Sequence, residues 1–233
     1  MSYDTEQMQR RVLYQDDRVI ILDKPYGLPV HFGTRTKDHL ELYLPLIQGD
    51  RPEPPRLAHR LDKDTAGCLV LARDAEAAAR LGAMFLEGRV HKTYWAVVQS
   101  GPRTDGGVID LPLGKVWVPG GSKVVVDVTA KPALTRWKTL GWADDRALLE
   151  LSPRTGRMHQ LRAHCAYMAM PILGDPIYGA DRPAPVPLHL LARSIRFPNL
   201  DGSGTEITAT APLPPHMTAT LLAMGLAEAG DSA

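Results

Sequence analysis

Residues 58–74 read AHRLDKDTAGCLVLARD. Asp62 follows Arg60 and Leu61 directly, a turn-forming KDTAG comes next, and an apolar run of strand length, CLVLA, follows. An aspartate before a loop is ordinarily a turn former or a cap. Asp64 is better placed for that duty, and in an extended segment Arg60, Asp62 and Asp64 project to the same side. A carboxylate beside a guanidinium stays ionised and keeps its lone pairs available. That suits a nucleophile or a base, and it suits a structural ion pair equally well.

Working outward, Asp74 is a good N-cap for the helix-forming AEAAARLGAMFLE, and Gly88 suits the position just past its end. HKTYWAVV then alternates and is rich in strand formers. Upstream, VLYQDDRVIILDKP reads as two strands around Gln15-Asp16-Asp17. Asp38 is a candidate cap for a short helix through Leu46, which Pro45 cuts short, and RPEPPRL is rigid and extended. The middle third is mostly strand: GVIDLPLGK, KVVVDVTA, ALTRWKTLGW and RALLELSP, with turns at Asp105-Gly106-Gly107, Gly120-Gly121 and Asp144-Asp145. RMHQLRAHCAYMA reads as a helix ended by Pro171, LHLLARSIRF and TEITATAP as late strands, and HMTATLLAMGLAE as a last helix. Strand runs interrupted by a few helices predict an α+β fold on a mixed, mainly antiparallel central sheet flanked by helices.

Composition sets the class. A hydrophobic content of 44% and a charged content of 23% are ordinary for a globular protein of 233 residues. Two cysteines, Cys68 and Cys165, cannot build a disulfide framework, which favours a reducing, cytoplasmic home. No secretory signal opens the chain, and no run of about 18 apolar residues marks a membrane span. The net charge is only +1, but Leu200 to Ala233 contains no Lys or Arg, so the positive excess lies before it. Leu151 to Gly174 contains no acid, and it holds Arg154, Arg157, His159, Arg162 and His164. This is either a basic surface or a solvated helix face.

In TGRMHQLRAHC, residues 155–165, a helix would place Arg157, Gln160 and His164 near one stripe, with Met158 and Arg162 near another. His159 and His164 are five apart and suit a shared metal poorly, so no metal site is expected. Arg157 and Arg162 form a basic helix face or an anion site, or one of them orients a distant carboxylate. Cys68 lies in an apolar run and belongs in the core. Tyr94 and Trp95 point to opposite faces of their strand, so one packs inside while the other faces the sheet surface or a cleft. No phosphate-binding glycine loop, HExxH or GxSxG occurs, so the chain advertises no nucleotide cofactor and no familiar hydrolytic nucleophile.

Taken together and in this order, the segments resemble the RluA-type RNA pseudouridine synthases. His59 to Gly67 resembles the family's HRLDxxTSG block, with Ala66 where the family often has Ser. DKPYGLPVH resembles DKPxGxxVH, HKTYWAVV resembles the KxYxA strand, and RTGRMHQLRAHCAYMAMPILGDPIYG resembles TGRxHQxRxH…PIxGDxxYG. LHLLARSIRFP resembles the LHAxxLxFxHP ending, departing from it at His189-Leu190-Leu191. The resemblance covers residues 12–215, the motif-bearing core of what reads as a single catalytic domain over 1–233, without room for an N-terminal RNA-binding domain.

The resemblance implies a pseudouridine synthase fold with a central RNA cleft, and an isomerase that detaches uracil from C1′ and rejoins it through C5 with no cofactor. Asp62 inherits the catalytic role, as nucleophile or base. Tyr94 stacks on the flipped base, and Arg162 pairs with the catalytic carboxylate. Arg60 fills the space the uridine leaves, and Leu161 touches the uracil. Arg157, His159 and Lys92 bind phosphates or brace the site. The implied partner is a transfer or ribosomal RNA stem-loop, with no obligate protein partner, a monomeric state and no membrane. The alternatives are an RNA-binding or folding module that has lost catalysis, and a carboxylate enzyme such as a glycosidase, which needs a second carboxyl about 5–10 Å away.

Overall fold

The computed structural model describes residues 3–33, 37–101, 103–118, 121–179 and 185–226. The chain divides into two compact units, Met1–Lys92 with Ala192–Pro212, and Thr93–Leu191 with Leu213–Ala233. The fold is α+β with mainly antiparallel sheet and few helices.

The first unit opens with a short helix α1 (Thr5–Gln9). Asp4 accepts from the Gln7 amide, and the Gln7 side chain accepts from the Asp4 amide, a reciprocal capping box. Strands β1 (Val12–Gln15) and β2 (Val19–Lys24) flank the expected turn, where Asp16 accepts from the amides of Arg18 and Val19. The expected helix after Asp38 is instead two 3-10 turns, Leu40–Leu42 and Leu44–Ile47. The Asp38 carboxylate is taken by the Tyr43 hydroxyl and caps nothing.

β3 (Arg56–Leu57) and β2 both pair with β4 (Ala66–Ala72). All seven residues of β4 are buried, as are the first four of β2. That is why CLVLA is continuously apolar: a strand covered on both faces has no solvent side to alternate with. Helix α2 (Ala75–Leu86) follows, with Asp74 accepting from the Ala77 amide at 2.8 Å and Gly88 beyond its end at φ 70°, both as expected. The unit is completed by the late part of β11 (Leu190–Pro198) and by β12 (Glu206–Thr210), paired in antiparallel fashion.

In the second unit β5 (His91–Gln99), β10 (Arg146–Pro153), β9 (Leu134–Ala143) and β6 (Gly106–Asp110) form a sheet in that order, each pair antiparallel. Ala147, Leu149 and Leu151 alternate along β10 into one core, where they meet Ala96 and Val98 of β5 and Leu161 and Cys165 of a helix α3 (Gln160–Tyr167). GVIDLPLGK is not one strand. It breaks at Leu111-Pro112, and a separate two-stranded sheet of β7 (Leu113–Val118) and β8 (Gly121–Val126) begins there. Proline has no N–H to continue the ladder. The last helix, α4, covers Pro215–Ala223. It ends short of the expected Glu228: Met224 is its cap and Gly225 stands beyond it at φ 69°, while Ala227 and Glu228, like Gly120 of the expected turn, lie outside the described residues. No helix among the described residues is long and apolar enough to cross a membrane.

Candidate active site

The proposed site residues fall in both units. Arg60, Asp62 and Lys92 lie in the first, while Tyr94, Arg157, His159, Leu161 and Arg162 lie in the second.

In the first unit the loop before β4 is built by three fixed points. The first is His59. Its Nε2 accepts the Val70 amide at 3.0 Å, just past the point where Ala58 donates to the Val70 carbonyl. The imidazole thus continues the β3–β4 ladder as a side chain, and its ring packs on Phe85 of α2 at 4.7 Å. This bond needs the neutral ring. Burial, with the nearby Lys92 charge, pushes the His59 pKa down to about 3.

The second point is the turn itself: the Thr65 amide donates to the Asp62 carbonyl at 3.2 Å. The third is Lys24, which is completely buried at the end of β2. Its ammonium donates to the carbonyls of Pro25, Leu28 and Lys63 at 2.8, 2.9 and 3.0 Å, and the Gly27 amide also donates to Lys63. Three carbonyl acceptors require all three N–H groups of the charged form. Burial lowers the Lys24 pKa to about 7, and the carboxylates of Asp64, Asp62 and Asp23 work against that fall. The DKPYGL and HRLDKD segments are therefore tied together by one buried cation beneath the aspartate loop. Asp62 is half-buried on that loop, Arg60 is exposed, and Ala66 is buried at the start of β4. Lys92 is half-buried, and burial lowers its pKa.

In the second unit α3 starts later than its sequence indicates. His159 adopts φ 51°, ψ 21°, a left-handed conformation, and stands outside the helix with Arg157 and Met158. The cause is Gln160. Its side chain accepts from the Arg157 amide and the Thr155 hydroxyl, and donates to the Leu134 carbonyl and the Thr135 hydroxyl of β9. His164 is fully buried beside it, donating from Nε2 to the Leu111 carbonyl and accepting at Nδ1 from the Thr135 hydroxyl. Burial lowers its pKa.

These bonds fix the rotation of α3, and that rotation aims Arg162 inward. Arg162 is 3% exposed, so it is no part of a basic surface. Its Nε and Nη2 donate to the two oxygens of Asp175 at 2.7 and 2.8 Å, a bidentate pair with the carboxylate fully buried. Asp175 also accepts the amides of Ile177 and Tyr178 at 2.8 and 2.9 Å. Burial alone would raise its pKa; the bonds and charge of Arg162 and the two amides overcome this and hold it below the usual carboxylate range. Gly174 sets the corner at φ 75°, where a Cβ would sit 2.1 Å from the Pro187 carbonyl oxygen.

The Tyr178 ring lies 5.4 Å from the Arg162 guanidinium. Leu161 is 6% exposed in the core cluster against which Tyr94 packs; Tyr94 stands opposite Leu151 on β10, and Trp95 is buried. Arg157 is exposed, with Nε donating to the Pro132 carbonyl.

The sequence reading missed Lys24, Gln160, Asp175 and Tyr178 as builders of the site. Asp175 did leave a signal, as the acid that ends the acid-free stretch after Leu151. Cys68 and Cys165 are buried free thiols whose pKa burial pushes up to about 12, so neither is a nucleophile. Among the described residues no group of three or more His, Cys, Asp or Glu is placed to hold a metal ion.

Residues 18–167 match the family model described as RNA pseudouridylate synthase. An uncharacterised RNA pseudouridine synthase of Zymomonas mobilis is 41% identical over 91% of this chain and 97% of its own length. A mitochondrial pseudouridylate synthase of Mus musculus is 33% identical, covering 95% of this chain and 71% of its own. The solved structure of human RNA pseudouridylate synthase domain containing 4 superimposes with a TM-score of 0.80 at 31% identity, covering 95% of each chain. With the HRLD loop and the TGRMHQLRAH segment standing as described, the chain belongs to the RluA-type RNA pseudouridine synthases, which isomerise uridine in RNA to pseudouridine.

Proposed function

We propose that the chain works as one catalytic unit on uridines in a transfer or ribosomal RNA stem-loop, as a monomer, with Asp62 as the catalytic carboxylate. The uridine must leave its stack to be reached. Arg60 takes the vacated space, Tyr94 stacks on the flipped base, and Leu161 forms the apolar wall against the uracil. Arg162 is the basic residue of the catalytic set, and its guanidinium is oriented by two bonds to Asp175. Arg157, His159 and Lys92 take phosphates or brace the loop.

The chemistry balances without a cofactor. The N1–C1′ bond breaks, a C5–C1′ bond forms, the C5 hydrogen leaves to water and N1 gains a proton. Asp62 acts at the sugar, as nucleophile or as base.

The observation that supports this reading best is the seating of the Asp62 turn. A half-buried carboxylate sits on a loop whose next carbonyl is held by a buried ammonium and an amide, which is the rigid placement that bond-making at a flipped nucleotide requires. The test is tritium release from RNA labelled at uracil C5. Wild type releases tritium; Asp62→Asn releases none and binds RNA within a few-fold of wild type. Comparable release by Asp62→Asn would refute the assignment.

A further inference from the structure

Arg162 is held both in the plane of its guanidinium and from one face. In the plane, Nε and Nη2 donate to the two oxygens of Asp175. A bidentate fork fixes the direction of the group, yet the group can still rock about the line of the two bonds. The Tyr178 ring lies over the guanidinium, with its centre 5.4 Å from Cζ, and opposes that rocking.

The ring is itself clamped at both ends. At the backbone end the Tyr178 amide donates to Asp175 Oδ1 at 2.9 Å, so the tyrosine and Arg162 share one carboxylate oxygen. At the far end the hydroxyl accepts the Val124 amide at 2.8 Å and hydrogen-bonds His159 Nδ1 at 3.2 Å. β7 and β8 form a sheet of two strands, in which alternate amides face away from the ladder. Val124 gives its amide to the tyrosine, and its side chain is buried with Ala163, the residue that follows Arg162 in α3. Tyr178 packs against that same cluster. All of these residues lie in the second unit.

We propose that Tyr178 is a positioning residue for the isomerisation, whose clamped ring holds the plane of the Arg162 guanidinium. This role rests on Arg162 being the basic residue of the catalytic set. An aromatic ring carries negative charge on its face, so a guanidinium laid against it is attracted as well as blocked. The hydroxyl sets where the ring stands, and the ring face is what Arg162 meets.

The assay is C5-tritium release from labelled bulk cellular RNA, resolved into kcat and KM. Tyr178→Leu lowers kcat roughly 10- to 100-fold with KM little changed, the scale of a small misplacement of a group acting at the reaction. Tyr178→Phe keeps the face and leaves the Val124 amide without its partner, so kcat stays within about threefold of wild type while Tm falls by about 2–8 °C. Tyr167→Leu, at the exposed end of α3, matches wild type in both. A second series places phenylalanines with one, two and three ring fluorines at position 178. Fluorine keeps the shape, and so the fold, but drains the negative face, so kcat falls stepwise along the series even if Tyr178→Leu does not fold. A flat series, or Tyr178→Phe as slow as Tyr178→Leu, refutes the positioning role. A higher KM at unchanged kcat assigns the tyrosine to RNA binding and overturns it as well. If Arg162→Met turns over like wild type, the catalytic reading of Arg162 fails and takes the positioning role with it. If Arg162→Met is inactive while Tyr178→Leu is as fast as wild type, the positioning role fails alone.

Discussion

Asp175→Asn tests whether the buried ion pair holds the second unit together. Oδ1 of Asp175 accepts three bonds, from Arg162 Nη2, the Ile177 amide and the Tyr178 amide; Oδ2 accepts the fourth, from Arg162 Nε. Asparagine can keep the first three. At the fourth it turns an NH2 toward an N–H, so one charged hydrogen bond becomes a donor facing a donor. The Arg162 charge stays, with its side chain 4% exposed and the charge of its bidentate partner gone. Breaking a buried pair from one side costs about 3–5 kcal/mol. For a chain of this size that lowers Tm by about 6–20 °C.

Urea titration and thermal melting at neutral pH measure it. The double variant Arg162→Met, Asp175→Asn should recover much of the loss, because the donor facing the asparagine NH2 is removed with the buried charge. A loss below about 1 kcal/mol would mean that the bidentate pair contributes little to stability, and would refute the reasoning. The pH dependence has a definite sign. The folded carboxyl titrates below its unfolded value, so its contribution is complete above about pH 4 and is lost as pH falls through the folded pKa. The gap between wild type and Asp175→Asn should close in acid.

Lys24→Met keeps the apolar stem and deletes the three carbonyl bonds, so the Lys63 carbonyl is released; kcat for tritium release should fall roughly tenfold with KM little changed, on the scale set by small misplacements of a reacting group. Because Lys24 titrates at about 7 rather than 10.5, the unfolded chain holds the extra proton between those values, and wild type should gain stability relative to Lys24→Met as pH rises through that window. His189 is buried, donates to the Pro187 carbonyl and accepts from the Thr220 hydroxyl, and burial lowers its pKa to about 4. Wild type should lose up to about 3 kcal/mol between pH 6.5 and 4 by urea titration, and His189→Gln should show a flatter profile.

The sheet was legible because its signals are local. The Gln15–Asp17 turn, the Asp74 cap and the apolar β4 each sit within a few residues of what they determine. The misreadings share a cause. TGRMHQ looks like a helix start, but Gln160 bonds to Leu134 and Thr135, over twenty residues away, and that tether holds the preceding turn open. Asp38 looks like a cap until Tyr43 takes its carboxylate. Within the candidate site, Asp62 and Arg60 are proposed from a motif, whereas the work of Lys24 depends on two loops meeting and that of Asp175 on a partner across a turn. The α1 capping box was written plainly in Asp4 to Gln7 and was overlooked because the helix is only five residues long.

The polar letters of the motifs divide by what holds them. His59, Gln160, His164 and Asp175 look like catalytic residues in a bare sequence, and each is consumed in construction. His59 accepts a strand amide, and with a pKa of about 3 it carries no proton to exchange near neutrality. His164 is buried between a carbonyl and a hydroxyl, with its pKa also lowered. A general acid or base works best with a pKa near the working pH. The His59 imidazole does not meet that condition, and neither thiol does. These braces leave the burden of the proposed chemistry on the Asp62 carboxylate, near whose loop, of these side chains, only His59 and Lys24 bond. The sharpest check is therefore made on the braces themselves: with Asp62 intact, loosening Lys24 should slow turnover more than it weakens RNA binding. Equal loss of both would show that the loop is held for binding instead.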